Sequence, residues 1–190
     1  MLLLGYSGGA KTTCFTRPNI PLFYQLQKSI WGIWVKWYRK AAELGDAMAI
    51  SNLGLMYDNG VGVIEDIKEA VKWFRKAAEL GDANAMFNLG LMYDNGVGVI
   101  GDDKEAVKWY RKAAELGDAE AMAFLGGMYA NGVGVIGDAA EAYAWFNVAA
   151  ANGSKKAAEF RDEIKKVMTS EQIAEGQKRS REIMEAIAKG

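Results

Sequence analysis

Residues 82–117 read DANAMFNLGLMYDNGVGVIGDDKEAVKWYRKAAELG, and this stretch of 36 residues decides the fold because it recurs. Trp37, Trp73, Trp109 and Trp145 stand 36 residues apart, and Gly54, Gly90 and Gly126 keep the same step, as do Tyr57, Tyr93 and Tyr129. Units fall at 46–81, 82–117 and 118–153, and the first two differ at only six positions. A half unit, 31–45, precedes them. Residues 1–30 carry no repeat and are expected to be an irregular N-terminal segment, and 154–190 read as a C-terminal helical cap.

Each unit carries the marks of two helices. Asp82 suits an N-cap, and Ala85, Met86, Leu89, Gly90 and Tyr93 then recur on one face at helical spacing. Asn95-Gly96 closes that helix, with glycine free to take the left-handed position that side chains avoid. Asp102 followed by Glu105 opens the second helix with capping-box spacing, repeated by Asp66/Glu69 and Asp138/Glu141. Ala106, Trp109, Tyr110, Ala113 and Ala114 are expected on its buried side, with Trp109 filling the volume the alanines leave. Gly90 predicts a close helix crossing, which offsets its propensity cost of about 1 kcal/mol. One pair cannot cover its own apolar faces, so pairs must stack into an all-α solenoid, a superhelix of antiparallel helix pairs.

The unit AMFNLGLMYDNGVGV, continuing through DKEAVKWYRKAAELG, resembles the Sel-1-like repeat, a relative of the tetratricopeptide repeat. The resemblance covers roughly residues 35–153, and MTSEQIAEGQ at 168–177 is similar to the segment that closes many bacterial members. It implies a right-handed α/α superhelix serving as an adaptor in protein complexes.

Composition narrows the chemistry. About half the chain is apolar and the formal net charge is -1, which gives no basic footprint for nucleic acid. No histidine is present, which removes the usual general base of serine and cysteine triads and the commonest metal ligand. The single cysteine, Cys14, can form neither an internal disulfide nor a cysteine-rich zinc site. No cofactor or metal is expected. No apolar run reaches the roughly 20 residues of a membrane span, so a soluble chain without a visible address is expected.

Two motifs imitate phosphate sites. Gly96-Val-Gly98-Val-Ile-Gly101 and Gly132-Val-Gly134-Val-Ile-Gly137 spell G-x-G-x-x-G, but each follows a helix, whereas a dinucleotide site needs a strand before it. The expected role is an inter-helix turn, and Gly60-Val-Gly62-Val-Ile-Glu65 already breaks the motif. Near the start, Gly5 to Thr12 imitates a P-loop, with Ala10 where the glycine belongs.

The charged residues have structural readings. Asp66, Asp102 and Asp138 read as caps, and Glu79 and Glu115 as i, i+4 partners of Arg75 and Arg111. Lys68, Lys72, Arg75 and Lys76, with Lys104, Lys108, Arg111 and Lys112, form a basic stripe on the second helices, read as a solvated convex face.

Function is expected where the frame stays fixed and the residues change. One slot of the first helices holds Met48, Asn84 and Glu120; the next holds Ser51, Phe87 and Ala123; others hold Leu55, Leu91 and Gly127, and Asp58, Asp94 and Ala130. Asn52, Asn88 and Phe124 border them. In tetratricopeptide proteins, which this chain resembles, the matching face lines the concave groove that grips partners. The expected contacts are therefore Met48, Ser51, Asn52, Leu55, Asn84, Phe87, Asn88, Leu91, Asp94, Glu120 and Phe124, with apolar anchoring by the aromatic and aliphatic members and backbone hydrogen bonds from the asparagines.

The expectation is a non-enzymatic adaptor that binds a protein or peptide partner. A hydrolase acting on β-lactams, as implied by resemblance to cysteine-rich Sel-1-like proteins, is the rival, disfavoured because the units carry no cysteine pair. An assembly role through the basic convex face is a third reading. Trp31, Trp34 and Trp37 leave an aromatic front edge that can drive self-association.

Overall fold

The computed structural model describes residues 22–189, with side chains from residue 30 onward; Cys14 and the P-loop look-alike lie outside them. Every regular element among the described residues is an α-helix. They are α1 (Leu22–Glu43), α2 (Ala47–Asn59), α3 (Ile67–Glu79), α4 (Ala83–Asn95), α5 (Asp103–Glu115), α6 (Ala119–Asn131), α7 (Ala139–Ala151), α8 (Lys155–Lys165) and α9 (Ser170–Ile187). The pairs α2/α3, α4/α5 and α6/α7 are the three units, and α1 stands as a second helix ahead of them. It begins at Leu22, so its first turns fall within the segment expected to be irregular.

Local chemistry sets each boundary. Asp46, Asp82 and Asp118 cap the first helices, accepting from Ala49, Ala85 and Ala121 backbone N–H groups at 3.0, 2.7 and 2.7 Å. Gly60, Gly96 and Gly132 end those helices in the left-handed conformation, φ 64–67°, each N–H returning to a methionine carbonyl. The second helices start at Asp66, Asp102 and Asp138, whose carboxylates accept from the backbone N–H three residues on. The reciprocal half of a capping box is missing there, because Glu69 and Glu105 turn to Lys72 and Lys108, each pair at 2.7 Å. Among the described residues, a complete box forms only at Thr169 and Gln172, at the head of α9.

The Gly-x-Gly turns are contacts between units. A Cβ on Gly98 would lie 2.6 Å from Ile67 Cγ2, and one on Gly134 2.5 Å from the Asp103 carbonyl oxygen, both at positive φ. Each glycine thus seats its turn on the first residue of the preceding unit's second helix. Gly101 and Gly137 have no such constraint, which is why Glu65 replaces them in the first unit. The motif is a hinge between stacked units.

Gly54, Gly90 and Gly126 do mark close approach, but to an aromatic ring. A Cβ at Gly90 would sit 2.4 Å from the Tyr110 ring, and one at Gly54 or Gly126 would sit 2.7 or 2.6 Å from the ring of Phe74 or Phe146. These rings hold the core in every unit: Tyr110 and Phe74 are fully buried, whereas Trp73 and Trp109 are half-buried and, of the three unit tryptophans, only Trp145 is buried with them. Val107 joins Tyr110 in the buried stripe of α5, and Trp109 lies at its edge. The Trp73 and Trp109 indole N–H groups are buried without an acceptor. Trp145 finds one, Glu141 Oε1 at 2.9 Å, because Ala144 replaces the lysine that holds the matching glutamate in the other units.

A second repeated tie joins unit to unit. Arg39 and Arg75 donate to the Tyr57 and Tyr93 hydroxyls at 2.7 Å, and Arg111 to Tyr129. The expected pairs of Arg75 with Glu79 and Arg111 with Glu115 are absent among the described residues, since the guanidinium reaches the next helix and leaves its own.

The end departs from the repeat. Ser154 caps α8 through Ala157 N–H, at the position Asp118 holds one unit earlier, so α8 is a fourth first helix. α9 then packs along α7, where Gly176 permits contact with Tyr143 and the Ala140 carbonyl. Arg179 fixes it, reaching Asp138 at 2.7 Å and Glu141 and Glu175 at 3.0 Å.

Candidate functional site

The first helices α2, α4, α6 and α8 form one layer, and neighbours in it touch directly, whereas the second helices are separated by the first helices that follow them. The first-helix layer is the one in which α2 meets α4 and α6 meets α8. Its surface carries the variable slots.

The slots differ in what they offer. Met48, Asn84 and Glu120 are exposed, one per unit, just after each N-cap. Leu55 and Phe124 are each 37% exposed, and Asn52, Asn88 and Leu91 are half-buried beside them. Asn88 Nδ2 is already committed to the Asn84 carbonyl at 2.9 Å, which reduces what it can give a peptide. Ser51 departs from the expectation. It is only 4% exposed, because a small side chain at this register sinks between the helices where Phe87, one unit later, is too large to follow.

Phe87 therefore sits between units. Its ring lies 5.4 Å from Phe124 and 5.8 Å from Tyr110, and Tyr110 lies 5.2 Å from Phe124. This cluster floors the face across α4, α5 and α6 and holds Phe124 rigidly, as an anchor for a ligand must be held. Beneath it, burial pushes the Tyr110 phenol far above its ordinary value, and the Asp94 carboxylate pushes it further. It stays protonated and donates toward Asp94 Oδ2 at 3.4 Å. At the same register in the first unit, burial and then Glu65 raise the Asp58 carboxyl above its usual range.

Two further positions of this face lie beyond the reach of the sequence reading. Lys156 continues the slot of Met48, Asn84 and Glu120, and Phe160 continues that of Asn52, Asn88 and Phe124. The 36-residue count from Asp118 to Ser154 was the available signal; the loss of the Leu-Gly and Met-Tyr landmarks hid it. Phe160 is 41% exposed, 5.5 Å from Phe146, with Lys156 Nζ over its ring at 5.6 Å. Between α6 and α8 lies an open hollow of about 330 Å³, floored by Phe124, Met128 and Phe160 and rimmed by Asp94 and Lys156.

The Sel1 repeat family model matches residues 35–46, 47–82, 83–118 and 119–154. The chain belongs to the Sel1 repeat family. Among solved Sel1 repeat structures, it is similar to c5321, a protective antigen of uropathogenic Escherichia coli with an SLR fold, at 41% identity and TM-score 0.75 over 81% of this chain and 33% of that one. It is similar to a Sel1 repeat protein of Oxalobacter formigenes at 37% identity and TM-score 0.68, over 82% of this chain and 62% of that one. Helicobacter pylori cysteine rich protein B aligns at 28% identity and TM-score 0.57, over 70% and 96% respectively. The chain thus spans a third and somewhat under two thirds of the first two. No curated protein matches it. Sel1 repeat proteins are generally non-catalytic scaffolds for protein interaction.

Part of the second-helix surface is committed to the frame. Lys72 and Lys108 pair with Glu69 and Glu105, and Arg75 and Arg111 with tyrosine hydroxyls, so the basic stripe is partly neutralised. Among the described residues, no helix is long and apolar enough to cross a membrane, and no group of acidic, histidine or cysteine side chains is placed to hold a metal ion.

Proposed function

We infer that this Sel1 repeat chain is a non-enzymatic adaptor that binds a protein segment along its inner face. The observation that carries the reading is the contrast between frame and slot. Caps, turns, aromatic core and Arg–Tyr ties repeat from unit to unit, while the first-helix slots change from Met48 to Asn84 to Glu120 to Lys156. Folding alone sets no requirement on exposed positions, so residue choice there is free to serve a partner. Phe124 and Phe160 supply half-exposed aromatic area on a braced floor, the kind of surface that dominates binding energy. Three units and α8 make a short groove, which favours modest affinity.

The test is capture of a partner by the wild-type chain beside two variants of exposed residues. Asn84→Arg with Glu120→Arg alters the inner face; Lys72→Glu with Lys108→Glu alters the second helices. Capture lost in the first and kept in the second supports the groove. Capture kept in the first and lost in the second would replace it with the convex-face assembly role.

The partner surface extends in one further respect. Ile30, Ile33, Trp34 and Trp37 of α1 are 48–65% exposed and lie on one side of that helix. In complete units the residue matching Trp34 is Ala70, Ala106 or Ala142, buried by its own first helix. No described element covers Trp34, which supports self-association through this edge.

A further inference from the structure

One position on the inner face changes its shape. Leu55 and Leu91 occupy the same slot in the first two units, and Gly127 occupies it in the third. A glycine in the middle of a helix lowers its stability, so it calls for a reason. Gly90 and Gly126 have one, since an aromatic ring lies against each. Gly127 has none: a Cβ built there would meet nothing within 4 Å. The space a leucine would fill is the hollow between α6 and α8. Its floor is Phe124, Met128 and Phe160, and its volume of about 330 Å³ is at the small end for ligand clefts, suited to one side chain.

The rim is polar and asymmetric. Lys156 stands on the α8 side, over the Phe160 ring, and no carboxylate of the described residues forms an ion pair with it. Asp94 stands on the α4 side, its Oδ2 facing the Tyr110 hydroxyl. Resting on the inner-face reading above, we propose that this hollow is a specificity subsite for a peptide partner. It takes one leucine-sized apolar side chain, with an acidic group of the peptide against Lys156 and a backbone or side-chain donor against Asp94. Burying the anchor supplies affinity, and the Lys156 ammonium selects acidic flanks over basic ones.

The decisive variant is Gly127→Leu, which restores the side chain of the sister units. A Cβ at this position meets nothing within 4 Å and the hollow lies beyond it, so removing the helix-interior glycine is expected to keep the fold and raise the melting temperature. The probe is a displayed library of random dodecapeptides selected on the full wild-type chain, followed by synthetic fluorescent copies of the enriched sequences. The expected peptides share one large apolar residue flanked by Asp or Glu. Replacing that residue with alanine, or using Gly127→Leu, weakens binding at least about tenfold. Lys156→Glu shifts selection to basic flanks.

Enriched peptides that bind Gly127→Leu as well as wild type, but lose binding to Asn84→Arg with Glu120→Arg, overturn the subsite and leave the groove standing. Peptides indifferent to both variants, or no enrichment at all, overturn both. If sedimentation shows that wild type is a dimer and Gly127→Leu a monomer, the occupant is a second copy of the chain, and the peptide assignment is wrong.

Discussion

Glycine carries three different meanings in this chain, separable only by what stands beside each one. At Gly90 a methyl group would enter the ring of Tyr110, which is fully buried and has no room to retreat. Gly90→Ala is expected to destabilise by about 1–3 kcal/mol, the cost of overpacking a filled core. At Gly127 the same change meets open space and gains helix propensity, so Gly127→Ala is expected to stabilise by up to about 1 kcal/mol. Denaturant melts of the two variants therefore move in opposite directions, and a shift of the same sign would contradict the assignment. In the turns, Gly98→Ala meets both a positive φ and Ile67, whereas Gly101→Ala meets neither, so only the first should lower the midpoint appreciably. The fixed period and the caps were legible in the sequence because each depends on neighbours a few residues away. Which aromatic is buried was not: Trp109 and Tyr110 both suit the apolar stripe, and only the glycine of the facing helix selects Tyr110.

Among the helices, α9 is held by charge as well as packing. Burial raises the Asp138 carboxyl, but hydrogen bonds from Arg179 and from the backbone of Glu141 and Ala140 outweigh it, and its pKa falls below the ordinary 3.8. Because the folded value lies below the unfolded one, this contribution is complete above the ordinary range and disappears as pH falls through the lowered value. The group is partly exposed, so the loss is on the order of 1 kcal/mol or less. Amide protection of α9, measured relative to the intrinsic exchange rate at each pH, should fall below pH 3.8 in wild type. In Arg179→Met the protection should be weaker at neutral pH and nearly independent of pH over that window. An unchanged acid response in Arg179→Met would assign it to other carboxylates. The position of α9 against α7 was not readable beforehand, since its apolar residues suit any helix of the stack. Gly176, which looks like a defect in the sequence, is the contact that fixes the choice.

At the scale of the whole stack, the described residues of the solenoid have two unlike ends. α9 closes one with charged residues outward, while α1 presents Ile30, Ile33, Trp34 and Trp37 at the other. Association that strengthens with concentration is expected, and Trp34→Glu with Trp37→Glu should reduce it without altering helicity. Sedimentation velocity over a range of concentrations checks this, and identical behaviour of the two proteins would exclude the edge. The exposure of most variable slots was legible from their place in a fixed frame, from Met48 and Leu55 to Asn84, Glu120 and Phe124. Ser51 was misplaced because side-chain size, not register, decides whether that slot opens outward. Lys156 and Phe160 were missed because the fourth unit keeps the groove positions while losing the packing landmarks. The central claim is that the first-helix layer carries the partner. A photo-crosslinking residue placed in turn at Glu120 on α6 and at Lys108 on α5 tests it most directly. The account predicts a discrete crosslinked partner from Glu120 and none from Lys108, whereas crosslinking confined to Lys108 would contradict it.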